Sequence, residues 1–266
     1  MELSPLFDLF AGELRRLRTA AGLSQEALGE KINYSASLVA AVEQCRRPPR
    51  LEFAERADAV LGADGLLLRI RAALLREVVL PWFREWVAIE REATGLCSFE
   101  PLVVPGLLQT EDYARALHEG ASQLVGEPME QQVAARLERQ SVLTRPNPPL
   151  LVAVLDYTVI ERPVGGPKVM RDQLRHLVEV GSRTRVHLHL VPRDVGAYPG
   201  LNGAFVLATP PDADEIGYLD NQLHGTFVER TADVRSLRQS WEAVRAEAVS
   251  HGQTIKMISE AAEAWT

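Results

Sequence analysis

Apolar residues along the first third of the chain recur at helical spacing and are interrupted at short, regular intervals. Phe7, Phe10, Leu14 and Leu17 share one face of a first helix, and Gly22 follows as a left-handed stop. Ser24 is placed to cap a second helix through Gln25, Glu26 and Ala27, with Leu28 and Ile32 as its apolar positions. A turn at Asn33 and Tyr34 leads to Ser35, the cap of a third helix carrying Leu38, Val39 and Val42. Pro48 and Pro49 end the exit loop. A fourth helix then runs from Leu51 to Leu61, stopping at Gly62, and Leu66 to Leu75 makes a fifth.

Residues 77 to about 147 continue in helical grammar: Trp82, Trp86 and Ile89 share a face, Tyr113 to Leu117 continues a second helix, and Met129 to Leu143 forms a third. The pattern changes at RPNPP, residues 145–149. Strand-like runs follow at 150–156 (LLVAVLD), 185–191 (RVHLHLV), 203–209 (GAFVLAT) and 215–220 (EIGYLD). A helix from Pro167 to Val180 separates the first two, and Ala232 to Trp265 returns to helix. The expected architecture is an N-terminal all-α domain of five helices over residues 1–76, then a C-terminal α+β domain over 77–266 with a helical linker and a mixed sheet.

Composition refines this division. At 266 residues and 46% hydrophobic content the chain can fill a globular core. Residues 1–76 hold 11 Lys and Arg against 10 Asp and Glu, whereas residues 77–266 hold 18 against 26. The net charge of −7 is therefore concentrated in the second part, which makes an unsuitable surface for a polyanion. Cys45 and Cys97 lie far apart and form no CxxC pair, so both are expected to be packing residues. No apolar run reaches membrane length, and the segment MELSPLFDLF lacks a basic region followed by a long apolar stretch. A soluble cytoplasmic protein with no membrane partner is expected.

The short joint between the second and third helices, the apolar residue at each packing position and the arginines after the third helix together form a helix-turn-helix pattern; a bundle serving packing alone is the alternative. In such a motif the start of the third helix enters the major groove. Ala36, Ser37, Ala40 and Ala41 would then face the bases, while Gln25, Ser35, Arg46, Arg47 and Arg50 would bind phosphates. An alanine methyl can touch a thymine methyl, but none of the four base-facing side chains can make a bidentate contact. Specificity would lean on Gln44, on DNA shape and on two half-sites gripped by a homodimer. Residues 6–62 resemble the Xre and lambda-repressor type of DNA-binding domain, on Leu23-Ser24-Gln25 before the second helix, Ser35 opening the third and Glu43 near its end. The resemblance implies a structural ion pair between Arg18 and Glu43.

The string EPLVVPGLLQTEDYARAL at 100–117 contains a Pro-Gly turn and then a capped helix with Glu111 and Asp112 in its first turn, where carboxylates favour the helix dipole. This string also resembles the signature of actinobacterial regulators of the WhiJ-like type, which join an Xre helix-turn-helix to a C-terminal antitoxin-like domain. Further similarity lies at 161–177 (ERPVGGPKVMRDQLRHL), 186–207 and 218–229. Tyr157 and Asp220 depart from that family, which often has an acidic residue at the first position and usually a glutamate at the second. The resemblance implies a small partner protein and a regulatory role in development or specialised metabolism.

Other chemistry is sparse. His187 and His189 alternate on a strand, and a metal site there would need His176 or His224 beside them, but no Cys or paired carboxylate fills out a ligand set. No metal and no cofactor is expected. Gly165-Gly166-Pro167 before a helix is either an anion-binding turn or a proline-started helix. No GxSxG, P-loop or HExxH string occurs, so no catalytic residue is visible and an enzyme is not expected. The expected function is a DNA-binding transcriptional regulator acting on double-stranded DNA, controlled through its C-terminal domain by a small partner protein or a small-molecule effector. The rivals are an antitoxin-like protein with autoregulatory DNA binding, and a sensor whose pocket is lined by Trp82, Trp86 and Tyr198.

Overall fold

The computed structural model describes residues 5–78, 81–121, 129–211, 213–220 and 225–265. The chain forms two compact units, Met1–Pro81 with Ala121–Glu138, and Trp82–Gly120 with Arg139–Thr266. The elements in chain order begin with helices α1 (Pro5–Ala20), α2 (Gln25–Ile32), α3 (Ala36–Glu43), α4 (Leu51–Leu61), α5 (Leu66–Val78) and α6 (Pro81–Glu92). Strand β1 (Gly95–Glu100), helices α7 (Glu111–Ala121) and α8 (Met129–Arg139), and strand β2 (Leu150–Asp156) come next. Then come α9 (Thr158–Glu161), α10 (Pro167–Gly181), β3 (Val186–Val191), β4 (Phe205–Thr209), β5 (Ile216–Asp220), β6 (Gly225–Val228), α11 (Thr231–Ala246) and α12 (His251–Ala264).

Local signals set the boundaries of the first unit. Ser24 Oγ accepts from Ala27 N and Ser35 Oγ from Leu38 N, while Asn33 and Gly62 end their helices in the left-handed region at φ 58° and 59°. The turn between α2 and α3 also requires Gly29, because a Cβ there would lie 2.6 Å from the Tyr34 carbonyl oxygen. Phe10, Leu14, Leu28, Ile32, Val39, Val42, Phe53 and Leu67 pack into one core. Asp58 ties α4 to the start of α5: its carboxylate accepts from Gly65 N at 2.7 Å and Leu67 N at 2.9 Å. A boundary at residue 76 does not separate the two units. Helix α8, which follows the linker in sequence, packs with the first: Ala135 joins Phe7 and Leu74 in a small apolar cluster.

The second unit is built on a six-stranded sheet in the order β3-β2-β1-β4-β5-β6. The pairs β1–β2 and β2–β3 are parallel, and β1–β4, β4–β5 and β5–β6 are antiparallel. Alternation along the strands loads both faces. Leu151, Ala153 and Leu155 of β2 and Val186, Leu188 and Leu190 of β3 pack under α10 and α12, while Val154, Phe99, Phe205 and Leu207 pack under Trp241 and Val244 of α11. Three features depart from the sequence expectation. The central strand β1 lies inside the stretch expected to be helical, β6 adds an unforeseen strand, and the C-terminal helical run breaks at Ser250, whose capping box with Gln253 starts α12.

The β3 edge is closed by the segment that opens α12. Val249 N donates to Leu190 O at 2.9 Å, Leu190 N donates to Thr254 Oγ1 at 3.0 Å and Leu188 N donates to His251 Nδ1 at 3.1 Å. Edge groups that would otherwise recruit another strand are thereby satisfied. Thr254 is fully buried, so Thr254→Val would keep the shape and orphan the Leu190 N–H. The expected cost is about 1 to 3 kcal/mol in denaturant unfolding, with Thr254→Ser close to wild type; a valine variant as stable as wild type would refute this part of the edge closure.

Candidate nucleic-acid interface

Helix α3 has two unlike sides. Val39, Val42 and Glu43 are buried, whereas Ser37 and Gln44 are exposed and Ala36, Ala40 and Ala41 are half-buried. The spacing of 36, 37, 40, 41 and 44 places these five on one stripe facing away from the core. Ser35 Oγ lies 2.9 Å from Ser37 Oγ, so the hydroxyl at the start of the stripe is oriented by the cap residue itself.

What holds that stripe in place is the side chain of Glu43. Its carboxylate is fully shielded, and Arg18 grips both oxygens, Nε to Oε1 at 2.6 Å and Nη2 to Oε2 at 2.9 Å. Arg18 Nη1 also donates to Leu23 O at 2.8 Å, which ties the loop before α2 to the same guanidinium. Gln25 Nε2 donates to Glu43 Oε2 at 2.8 Å and Arg15 Nη2 to the Glu43 carbonyl at 2.8 Å. One carboxylate at the end of α3 is thus held from α1 and α2 together. Burial alone would push the Glu43 pKa up, but the hydrogen bonds from Arg18 and Gln25 and the charges of Arg18 and Arg15 hold it below the usual carboxylate value. The Arg18 partner was implied by resemblance. The parts of Arg15 and Gln25 in the network were not foreseen, since each acts across elements with no local signature.

The exit loop turns away sharply. Cys45 sits at φ 54°, and Arg46 N and Arg47 N both donate to Ala41 O, at 2.8 and 3.2 Å. Arg46, Arg47 and Arg50 are exposed, flanking a buried Pro49 whose carbonyl accepts from Arg71 Nε at 2.9 Å. Near the start of α3, Tyr34 packs on Phe53 with ring centroids 5.4 Å apart, and the Arg56 guanidinium stands 5.7 Å from the Tyr34 centroid. The result is an outward-facing stripe of small side chains next to a basic loop.

The second unit gives its sequence-singled residues structural partners. In the 100–117 segment, Gln109 Nε2 donates to Val104 O at 2.6 Å, Val104 N to Tyr113 Oη at 3.2 Å, and Thr110 N to Gln173 Oε1 at 2.7 Å. Asp156 accepts from Tyr198 Oη at 2.6 Å and from Thr158 N and Oγ1 at 2.9 and 2.7 Å. Gly165 has φ 68°, and a Cβ there would meet Ala116 Cβ and Val169 Cγ1 at 2.9 Å, so backbone conformation and packing together account for this glycine. His187 and His189 do share a sheet face, but His187 stands edge-on to His251 at 5.6 Å and His189 Nδ1 lies 3.0 Å from Val249 O. His224 lies outside the described residues. Among the described residues no group of three or more His, Cys, Asp or Glu is placed to hold a metal ion. Trp86 and Tyr198 lie in cores on opposite sheet faces and are not brought to one pocket; the Trp82 side chain lies outside the described residues.

Among the described residues, no helix is long and apolar enough to cross a membrane. Comparison with known families matches residues 9–69 to a helix-turn-helix domain and residues 83–260 to the family described as domain of unknown function DUF5753. Neither a curated protein nor a solved structure matches the chain.

The Glu43 network has a measurable consequence. Removing one partner of a buried ion pair costs about 3 to 5 kcal/mol, so Glu43→Ala is expected to unfold the first unit well before the second. A carboxyl with a lowered folded pKa contributes stability that is present above about pH 4.3 and is lost as pH falls through the folded value. Thermal melts between pH 7 and pH 3 should therefore show an acid-labile first unit whose slope is smaller in Glu43→Gln; parallel curves for the two proteins would contradict the pairing.

Proposed function

Because the chain belongs to the DUF5753 family and carries a helix-turn-helix domain ahead of that region, we propose that it is a dimeric, cytoplasmic transcriptional regulator of the Xre type. The observation that carries this reading is the outward stripe of α3 beside the arginine-bearing loop, held by the buried Glu43 network. Helix α3 lies in the major groove of double-stranded DNA. Ala36, Ala40 and Ala41 touch thymine methyls or the sugar edge, Ser37 offers one adaptable hydroxyl, and Gln44 supplies the only side chain of the stripe long enough for a bidentate adenine contact. Arg46, Arg47 and Arg50 bind phosphates, together with Ser35 and with Gln25, whose second amide hydrogen remains available after the bond to Glu43.

Affinity in this reading comes from phosphates and from two half-sites, while sequence discrimination comes from Gln44 and DNA shape. Dimerisation sets a half-site spacing of about 34 Å or a multiple of it. Control passes through the DUF5753 region, and the string at 100–117 supports a WhiJ-like regulator with an antitoxin-like C-terminal domain that takes a small partner protein. Coupling of about 1 to 3 kcal/mol between the partner and DNA suffices to switch an operator. The second reading, an antitoxin-like binder with autoregulatory DNA binding, uses the same surfaces. A small-molecule sensor is less well supported, because Trp86 and Tyr198 occupy separate cores.

The double variant Arg46→Ala, Arg47→Ala tests the placement. It is expected to weaken binding to all duplexes alike and to reduce the slope of log affinity against log salt by about 2. An unchanged slope would sink the phosphate role of this loop. Partner binding that survives the double variant while DNA binding is lost would separate protein recognition from operator recognition.

A further inference from the structure

Arg71 is the most buried arginine among the described residues at 4% exposure, and it points at neither solvent nor the α3 network. Its Nε donates to the Pro49 carbonyl at 2.9 Å, its Nη1 donates to Glu138 Oε1 at 2.8 Å and its Nη2 to Glu138 Oε2. The exit loop is tied at its start by the Arg46 and Arg47 amides on Ala41 O and at its far end through Pro49 to Arg71. Pro48 and Pro49 have no N–H to donate, so only their carbonyls can anchor the main chain there, and Arg71 holds that of Pro49. A buried guanidinium is stable only with its counter-charge and its hydrogen bonds in place. The hold on the loop is therefore conditional on Glu138, which belongs to α8.

Helix α8 is part of the first unit by packing, yet residues 129–139 fall within the DUF5753 match. The chain leaves the first unit at Glu138, and the next residue, Arg139, grips Glu90 of the second with Nε and Nη2 at 2.9 and 2.8 Å. Two consecutive residues thus carry bidentate ion pairs, one in each unit. We propose that Arg71 and Glu138 are a positioning pair for DNA binding: with α8 docked, they hold the loop so that Arg46, Arg47 and Arg50 reach the phosphates together, and release of α8 loosens that grip. The DUF5753 region thereby acts on DNA affinity through a helix of its own sequence, without touching the nucleic acid. This inference rests on the DNA-binding reading above.

The test uses the full-length chain and one fixed duplex, with affinity measured at two salt concentrations, the active fraction by stoichiometric titration, and melting in parallel. Glu138→Gln keeps the size of the side chain and removes its charge; Arg71→Lys keeps the charge but cannot span Pro49 and both carboxylate oxygens. Both are expected to melt below wild type but to stay folded at the temperature of the binding assay, to retain the active fraction, and to bind on the order of tenfold more weakly with a salt slope reduced by about 2. If Glu138→Gln does not fold, Arg71→Lys carries the test alone. Wild-type affinity and slope in a folded variant would overturn the proposal, and so would a loss confined to the active fraction, since that is what a merely structural pair would give. Failure of the underlying reading is distinguishable, because the wild-type protein would then bind no duplex at either salt, and the positioning role would fall with it.

Discussion

A carboxylate without access to water must be surrounded by donors, and Glu43 at the end of α3 imposes that requirement on the whole first unit. Arg18 supplies two charged donors, Gln25 a third, and Arg15 binds the carbonyl of the same residue. Those groups come from α1 and from the start of α2, so the orientation of α3 is fixed by charge and by hydrogen-bond direction as well as by apolar packing. Apolar contacts between short helices tolerate sliding and rotation. A bidentate arginine does not. An eight-residue helix lined outward with alanine and serine carries few long side chains of its own, and its orientation depends on this internal lock.

The second unit follows a different logic. Both sheet faces are apolar, α10 and α12 cover one and α11 the other, and the polar residues of its most distinctive segments turn inward to backbone groups. Gln109, Thr110, Tyr113 and Gln173 form a connected set that fixes the turn before α7 against α10. Residue types that in another setting would suggest chemistry are used here for architecture. The same holds for Asp156, whose acceptor positions are taken by Tyr198 and Thr158.

Much of the first unit was legible because its signals are local. Ser24, Asn33, Ser35 and Gly62 mark helix ends within a few residues, and the span Leu51–Leu61 could be read directly from them. Strand β1 was not legible: GLCSFE is short, lies among helical runs, and becomes a strand by pairing with β2 and β4, some 55 and 110 residues away in sequence. The break at Ser250 did have a local signal, serine followed three residues later by Gln253, that a search for capping boxes would have found. For the candidate site, the stripe and the arginine loop follow from helix periodicity, but Arg71 links Pro49, 22 positions before it, to Glu138, 67 positions after it, and no spacing rule reaches that far. Helix α8 likewise shows an ordinary amphipathic pattern, which reveals that it packs but not on which unit.

The central claim is that α3 sits firmly in the groove and reads it lightly, with a second half-site supplying what the small side chains lack. Selection of random duplexes by the purified full-length chain tests this most directly. The account expects an inverted repeat with half-sites about one helical turn apart, or a multiple of that, each half with few strongly constrained positions. A single, sharply specified site bound by one chain would contradict it.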